Sequence, residues 1–163
     1  MKQNRIEVLR KFLEDILFSS KEDIRLRYYF INHMVCVAQF CAFIALKRGE
    51  NVELATMAGL LHDIYTFTHL DSRKHAKNGA ILAREILEEM ELTTKEETNL
   101  ICSAIQNHSK KSGSFSSFDE VLIDADVLEH SFNNATLPPM EKDRERLEKL
   151  VIEFGLTVTD EFS

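Results

Sequence analysis

The amino-acid sequence predicts an all-α protein, a single helical domain of about six to seven helices over residues 1–163. Helix-breaking residues are scarce, with 5 glycines and 2 prolines in the whole chain. Apolar residues recur at the three- and four-residue spacing of amphipathic helices, and no window shows the sustained alternation of a half-buried strand. The hydrophobic fraction of 44% is suited to one compact core and is too high for a disordered chain.

The helical spacing places the helices at about residues 4–18, 25–47, 52–63, 73–91, 94–108, 118–128 and 140–154. Helix start signals support three of these positions. Asn51 is suited to cap the third helix. Thr93 with Glu96, and Ser117 with Glu120, match the Ser/Thr-x-x-Glu capping box and open the fifth and sixth helices.

The charge and the cysteines limit the classes of function. With 20 Lys and Arg against 27 Asp and Glu, the net charge of −7 argues against general nucleic-acid binding, although a local cationic site or a metal could hold a small phosphorylated ligand. The 3 cysteines show no CxxC spacing, which indicates buried thiols in a reducing compartment. The N-terminus lacks a signal peptide, and the longest apolar stretch, residues 34–46, is too short to cross a bilayer. We therefore expect a cytoplasmic protein with no membrane partner.

Histidines lie on the apolar stripes of four different predicted helices, where a polar side chain needs a partner. These residues are His33, His62, His75 and His108. A single inward histidine usually bonds a backbone carbonyl. Four inward histidines, together with inward Asp63 and Asp126, would each need a separate hydrogen-bond partner in the core, which is harder to provide. Imidazole and carboxylate are common ligands of transition metals, so one metal cluster would satisfy all six. On periodicity alone, both interpretations stay open.

The local sequences around these residues resemble a known family. The first histidine lies in NHMVCVAQF, the His-Asp dyad in AGLLHDI and the final aspartate in VLIDADVLEH. This ordered set resembles the signature of the HD superfamily of metal-dependent phosphohydrolases. The intervening segments HAKNGA and AIQNHSKKSG resemble the additional histidine segments of its binuclear branch, which includes bacterial symmetrical diadenosine tetraphosphate hydrolases. The resemblance covers about residues 25–135, with the last helix, at about 140–154, outside it.

The resemblance implies a binuclear metal site. The residues implied to hold one ion are His33, His62, Asp63 and Asp126. Asp63 would bridge to a second ion that is held by His75 and His108, and the dyad, His62 and Asp63, would be catalytic. Asp126 is preferred to Asp124 because ADVLE matches the family segment, and Asp124 would face outward or contact a ligand from behind. The implied cofactors are two divalent transition-metal ions, Fe or Mn first, with Ni, Zn or Mg as alternatives.

The implied reaction is hydrolysis of a small phosphorylated metabolite, a nucleotide or a dinucleoside polyphosphate, by a metal-activated water. Two alternatives stay open. One is a mononuclear 5′-nucleotidase-like phosphatase, and the other is a catalytically silent HD domain that acts as a nucleotide sensor or a scaffold. The sequence contains no P-loop and no nucleophile elbow. A homodimer would agree with the family, although no segment of the sequence marks an interface.

The segment HDIYTF departs from the family pattern, since Thr66 stands where many members have a phosphate-holding lysine. Nearby cations are candidates to replace it, each with a solvated surface charge as the alternative. The candidate substrate-binding residues are Thr66, Arg73, Lys74, Lys77, Lys110 and Lys111. His130 lies four residues after Asp126, so it would either hydrogen-bond to a ligand residue or face a neighbouring helix.

Overall fold

The computed structural model describes residues 4–19, 24–133 and 137–156, and these residues form helices without any strand. In chain order, they are α1 (Arg5–Ser19), α2 (Ile24–Arg48), α3 (Val52–Leu61), α4 (Ile64–His69), α5 (His75–Glu89), α6 (Lys95–Asn107), α7 (Ser117–Phe132) and α8 (Glu141–Glu153). The prediction of an all-α fold is confirmed.

The short helix α4 is the element that the sequence analysis missed. The predicted third helix runs through residue 63, but α3 ends at Leu61, and the chain turns at Asp63, whose φ and ψ are −110° and 16°. After α4, Leu70 and Lys74 both adopt left-handed backbone conformations. The chain thereby reverses within a few residues, so α5 begins at His75, two residues later than predicted.

The predicted capping box of α6 is displaced by one residue. Thr94, not Thr93, caps the helix: its hydroxyl accepts from the Glu97 backbone N–H at 3.3 Å, and the Glu97 carboxylate accepts from the Thr94 N–H at 2.9 Å. The sequence permits both registers because Thr-x-x-Glu occurs twice in succession. The hydroxyl of Thr93 instead lies 2.8 Å from that of Thr98, in a side-chain hydrogen bond.

A similar shift occurs at α7, where Ser116 replaces the predicted Ser117 as the cap. The Ser116 hydroxyl accepts from the Asp119 backbone N–H at 3.1 Å. The third cap agrees with the sequence analysis, since the Asn51 side chain accepts from the Leu54 N–H at 3.0 Å.

The corrected cap of α6 leads to a testable expectation. Thr94→Ala removes an acceptor from the first turn of the helix and should lower the free energy of unfolding by about 1 kcal/mol. Urea unfolding followed by circular dichroism would measure the change. Glu96→Ala is the control, because Glu96 lies in the same turn but outside the box, and it should stay within about 0.5 kcal/mol. Equal losses for the two variants would contradict the assignment.

The helices pack around a shared core in which α2 lies against α3 and α7, and α6 lies against α5 and α7. The helix α8 covers α7, and α1 covers α3. The two helices α2 and α3 pack closely at Gly59 of α3, where an added Cβ would lie 2.6 Å from the Cα of Ala38 on α2. His33 lies on α2, and His62 directly follows α3. The close packing of these two helices therefore brings the first two candidate ligands near each other.

Within the described ranges, no helix is both long enough and apolar enough to span a membrane. The cysteines are all unpaired: Cys41 and Cys102 are buried, and Cys36 is half-buried. Burial raises the pKa of each of these thiols.

Candidate metal centre

Six side chains from five helices and one helix junction converge on one point in the core. They are His33 on α2, His62 directly after α3, Asp63 between α3 and α4, His75 at the start of α5, His108 directly after α6 and Asp126 on α7. All six positions were singled out from the sequence as candidate metal ligands, and the fold brings them together.

One half of the centre contains the first two histidines. The Nε2 atoms of His33 and His62 lie 3.0 Å apart. Asp63 Oδ2 lies 3.7 and 3.8 Å from these two nitrogens, and Asp126 Oδ1 lies 3.8 and 3.9 Å from them. This half therefore contains two nitrogen and two oxygen donor atoms.

The other half contains His75 and His108, whose Nε2 atoms lie 3.2 Å apart. The second oxygen of Asp63, Oδ1, lies 3.7 and 3.6 Å from these nitrogens. Among the described residues, this buried oxygen has no hydrogen-bond partner. Asp63 thus directs one oxygen to each histidine pair.

Each imidazole is oriented by a hydrogen bond at its other nitrogen. The Nδ1–H groups of His62 and His108 donate to the carbonyls three residues earlier, at 2.8 and 2.6 Å. Both histidines follow the last turn of a helix, where backbone carbonyls lack helical partners. His75 Nδ1 donates in the same way to the carbonyl of Ser72 at 2.9 Å. The Nε2 lone pairs of these three rings therefore point into the centre.

His33 has a different partner, which the sequence analysis missed. Its Nδ1 lies 2.6 Å from Oε2 of Glu129, a buried residue on α7. The available signal was the spacing of Glu129 from Asp126, since residues three apart share a helix face. A carboxylate behind a ligating imidazole fixes the ring and makes it a stronger donor to a metal.

The donor set fits a metal. Ligand atoms about 2.0–2.2 Å from an ion, at ordinary coordination angles, lie about 2.8–3.6 Å from one another, close to the distances found here. The Nε2 lone pairs of His75 and His108 face each other, and the buried Asp63 Oδ1 has no partner among the described residues. Both features are unfavourable unless a cation lies among these atoms. The His33, His62 and Asp126 group and the His62, Asp63 and His108 group are each compact enough to hold an ion.

The histidines and aspartates of the centre shift one another's pKa values. Burial lowers the pKa of His33, but the carboxylates of Asp63 and Glu129 outweigh it and raise the pKa to about 10. For His62, burial prevails and lowers the pKa to about 4. Burial also opposes ionisation of Asp63 and Asp126, yet the neighbouring imidazoles and, for Asp126, Lys111 hold both carboxyl pKa values well below the usual range. Because a ligating imidazole is neutral, metal binding would release the His33 proton.

Lys111, a candidate substrate-binding residue, has its ammonium group inside the protein. Its Nζ lies 2.6 Å from Asp126 Oδ2, 3.1 Å from the carbonyl oxygen of His108 and 3.5 Å from that of Ile123. An ammonium group has three N–H donors, so these acceptors leave none for a substrate.

The other candidate substrate-binding residues lie nearer the surface. Arg73, Lys74, Lys77 and Lys110 are exposed, and Thr66 is half-buried. Arg73 pairs with Asp71 at 3.0 Å, and Lys110 donates to the Asn107 side chain at 2.8 Å. The structure does not bring these cations into one cluster with the metal ligands.

The sequence leaves two alternative placements for each of two further residues, Asp124 and His130. Asp124 does not face outward: it is buried, and its two oxygens lie 2.8 Å from Arg48 and 2.8 Å from Arg146. His130 faces a neighbouring helix, since its Nδ1 donates to Asp143 on α8 at 3.1 Å, while its Nε2 lies 3.4 Å from Asp126 Oδ1 without a hydrogen bond.

This fold and centre define a class of protein, an all-α domain whose histidines and aspartates from separate helices form a candidate metal site. The family model described as HD domain matches residues 30–131, more than half of the chain. The chain belongs to the HD domain family.

Curated relatives of this chain include ribonucleases. Ribonuclease Y 1 of Levilactobacillus brevis is 30% identical over 132 residues, which cover 80% of this chain and 22% of the relative. Ribonuclease Y of Enterococcus faecalis is 31% identical over 121 residues, which cover 74% of this chain and 22% of the relative. The chain therefore spans about a fifth of the length of these relatives.

A solved structure has the same fold. The crystal structure of a protein described as a predicted HD superfamily hydrolase, from an uncultured Thermotogales bacterium, matches with a TM-score of 0.63 and 25% identity. The match covers 90% of this chain and 88% of the other.

Proposed function

We propose that the domain is a phosphohydrolase that uses two divalent metal ions to cleave a small phosphorylated metabolite, a nucleotide or dinucleoside polyphosphate. The observation that carries the proposal is the placement of Asp63, whose two oxygens face two separate histidine pairs. A carboxylate in this position is suited to bridge two ions. Membership in the HD domain family supports the metal dependence.

In this proposal, the dyad and its neighbours each have a defined task. His33, His62 and Asp126 hold one ion, His75 and His108 hold the other, and Asp63 joins them. Ions bound there would lower the pKa of a water molecule and neutralise charge on the phosphoryl oxygens. The Nδ1 hydrogen bonds keep the imidazole rings from rotating, so the donor atoms stay in place during the reaction.

The substrate would approach from the His75 side. The His75 side chain is 28% exposed and that of Asp63 is 18% exposed, whereas His62 is fully buried. Lys74 and Lys77 flank His75 in sequence and are exposed, so they could hold the phosphates that extend from the centre. A local set of cations of this kind is compatible with the net charge of −7.

Hydrolysis of an RNA phosphodiester is a second candidate, favoured by the relatives named ribonuclease Y at 30–31% identity. It would use the same chemistry at phosphorus. The excess of acidic residues opposes extended contact with an RNA backbone, so we place the small nucleotide first.

Metal analysis together with a hydrolysis screen, in which chromatography separates the products, tests the proposal. Protein purified without chelator should contain about two transition-metal equivalents per chain, with Fe or Mn as the first expectation. The screen covers mononucleotides, dinucleoside polyphosphates and a labelled RNA oligonucleotide. Cleavage of the oligonucleotide alone would select the second candidate.

The His108→Ala variant separates the binuclear enzyme from the mononuclear alternative. The binuclear enzyme should lose one metal equivalent and most of its turnover, whereas a mononuclear phosphatase should keep much of its activity. His69→Ala is the control, because His69 is exposed at the end of α4 and stacks on Tyr65. A sensor or scaffold would show nucleotide-dependent thermal stabilisation without any product, and an absence of bound metal after reconstitution would overturn the proposal.

A further inference from the structure

The Asp126 carboxylate is contacted at both of its oxygens by residues that are not themselves candidate ligands in the proposed site. Lys111 Nζ lies 2.6 Å from Oδ2, and His130 Nε2 lies 3.4 Å from Oδ1. With Oδ2 engaged by Lys111, Oδ1 is the oxygen that faces His33 and His62. The Lys111 hydrogen bond therefore sets the direction in which Asp126 presents Oδ1, and the His130 ring lies beside this oxygen.

Both flanking residues are in turn fixed by the last helix. Asp143 of α8 is fully buried, and its Oδ2 accepts from the Nδ1–H of His130 at 3.1 Å. Arg146, one helical turn further along, donates from Nε to the backbone carbonyl of Lys111 at 2.7 Å. Residues three apart lie on one face of a helix. A single face of α8 therefore contacts both residues that flank Asp126, His130 through Asp143 and Lys111 through Arg146.

The helix α8 is held against the rest of the domain by buried leucines and by ion pairs to α7. Leu147 and Leu150 are buried in the core, and Arg146 also pairs with Glu120 and Asp124 of α7. The His130 ring lies parallel to the ring of His33, with centroids 5.7 Å apart, which extends the contact to a second metal-site residue. This helix lies beyond residues 30–131, the part that the family model matches.

We propose that α8 is a positioning element of the metal centre and orients the Asp126 carboxylate through Asp143 on one side and Arg146 on the other. The proposal rests on the proposed metal site and concerns the ion held by His33, His62 and Asp126. Asp143 and Arg146 do not touch this ion or the substrate. They act through His130 and Lys111.

Cobalt binding tests the proposal without any need for activity. The His108→Ala protein, depleted of metal, keeps one half of the centre and would be titrated with Co²⁺, with visible absorption reporting ligand geometry. In this background, Asp143→Ala should weaken Co²⁺ binding by about 10- to 100-fold and alter the absorption spectrum, as expected for the loss of a partner behind a ligand. Arg146→Ala should weaken it in the same direction.

Two matched variants separate positioning from a general effect on the helix. Asp143→Asn keeps an oxygen that can accept from His130, so it should restore Co²⁺ affinity to within about threefold of the His108→Ala protein. Glu141→Ala removes an exposed acid from the same turn of α8 and should leave the affinity within about twofold. If Asp143→Ala does not fold, His130→Ala removes the same contact at a partly exposed position and should give the same loss.

The outcomes are distinguishable. If Asp143→Ala and His130→Ala both keep the affinity and spectrum of the His108→Ala parent and lower only the melting temperature, α8 is a packing element and the inference is overturned. A protein that binds no Co²⁺ before any change in α8 overturns the inference together with the metal site. Weaker binding in these variants, from a protein that hydrolyses none of the screened substrates, supports the inference and counts against the proposed function alone.

Discussion

Replacing Asp63 with alanine is expected to reduce the rate of substrate hydrolysis by more than about 100-fold and to lower the metal content from about two equivalents per chain to below one. Loss of a group that only orients a ligand typically costs about 10- to 100-fold, and Asp63 faces both histidine pairs directly. The pair formed by His75 and His108 would keep only two donor atoms, so we expect its ion to be lost first. Elemental analysis and the hydrolysis assay would measure the two effects.

Asp71→Ala is the matched control for this change. Asp71 lies in the turn after α4, and its carboxylate pairs with exposed Arg73 and with none of the candidate metal ligands. Its replacement should leave the metal content unchanged. Two tightly bound equivalents in Asp63→Ala would show that the two histidine pairs hold their ions without a shared carboxylate, and the bridging assignment would be wrong.

The second large effect is expected from Gly59→Ala, which should lower the free energy of unfolding by about 2–3 kcal/mol. The new Cβ would lie 2.6 Å from the Cα and 2.9 Å from the nitrogen of Ala38, and backbone atoms cannot rotate away. Forcing α2 and α3 apart costs more than the about 1 kcal/mol that alanine gains over glycine in a helix. Because the Gly59 carbonyl also orients His62, metal affinity should fall as well.

Gly49→Ala provides the comparison for this variant. Gly49 has a φ of 73°, and an added Cβ would meet nothing within 4 Å, so its replacement involves backbone strain without a clash. We expect a loss of about 1 kcal/mol there and no change in metal affinity. Chemical denaturation of the metal-depleted and metal-loaded proteins would give both quantities, and an equal loss at the two glycines would argue against the close approach of α2 and α3.

The sequence predicts the fold class from local patterns alone, whereas the six candidate ligands follow from local patterns together with the resemblance to the HD superfamily. Helical periodicity identifies the helices, and an inward histidine stands out against an apolar stripe. The boundaries are harder to predict. Two overlapping Thr-x-x-Glu segments make Thr93 and Thr94 equally good caps, and the competing contact between Thr93 and Thr98 decides between them only after folding.

The supporting residues could not be predicted, because their burial depends on which helices meet. Asp143 lies among charged residues and resembles an acid on a solvated face, but α8 packs with this side on α7 and buries it fully. Lys110 and Lys111 are adjacent and chemically identical. One is exposed, and the other extends toward α7 to reach Asp126.

The spread of the ligands along the chain has a consequence for folding kinetics. The paired histidines are 29 and 33 positions apart, and the set extends from residue 33 to residue 126. Bound ions would therefore close long loops, as disulfides do in other proteins, in a chain whose own cysteines are unpaired. These loops close only after α2, α3 and α7 have docked, so the ions have little to bind early in folding. We expect metal to slow the unfolding rate of this domain and to leave its folding rate almost unchanged.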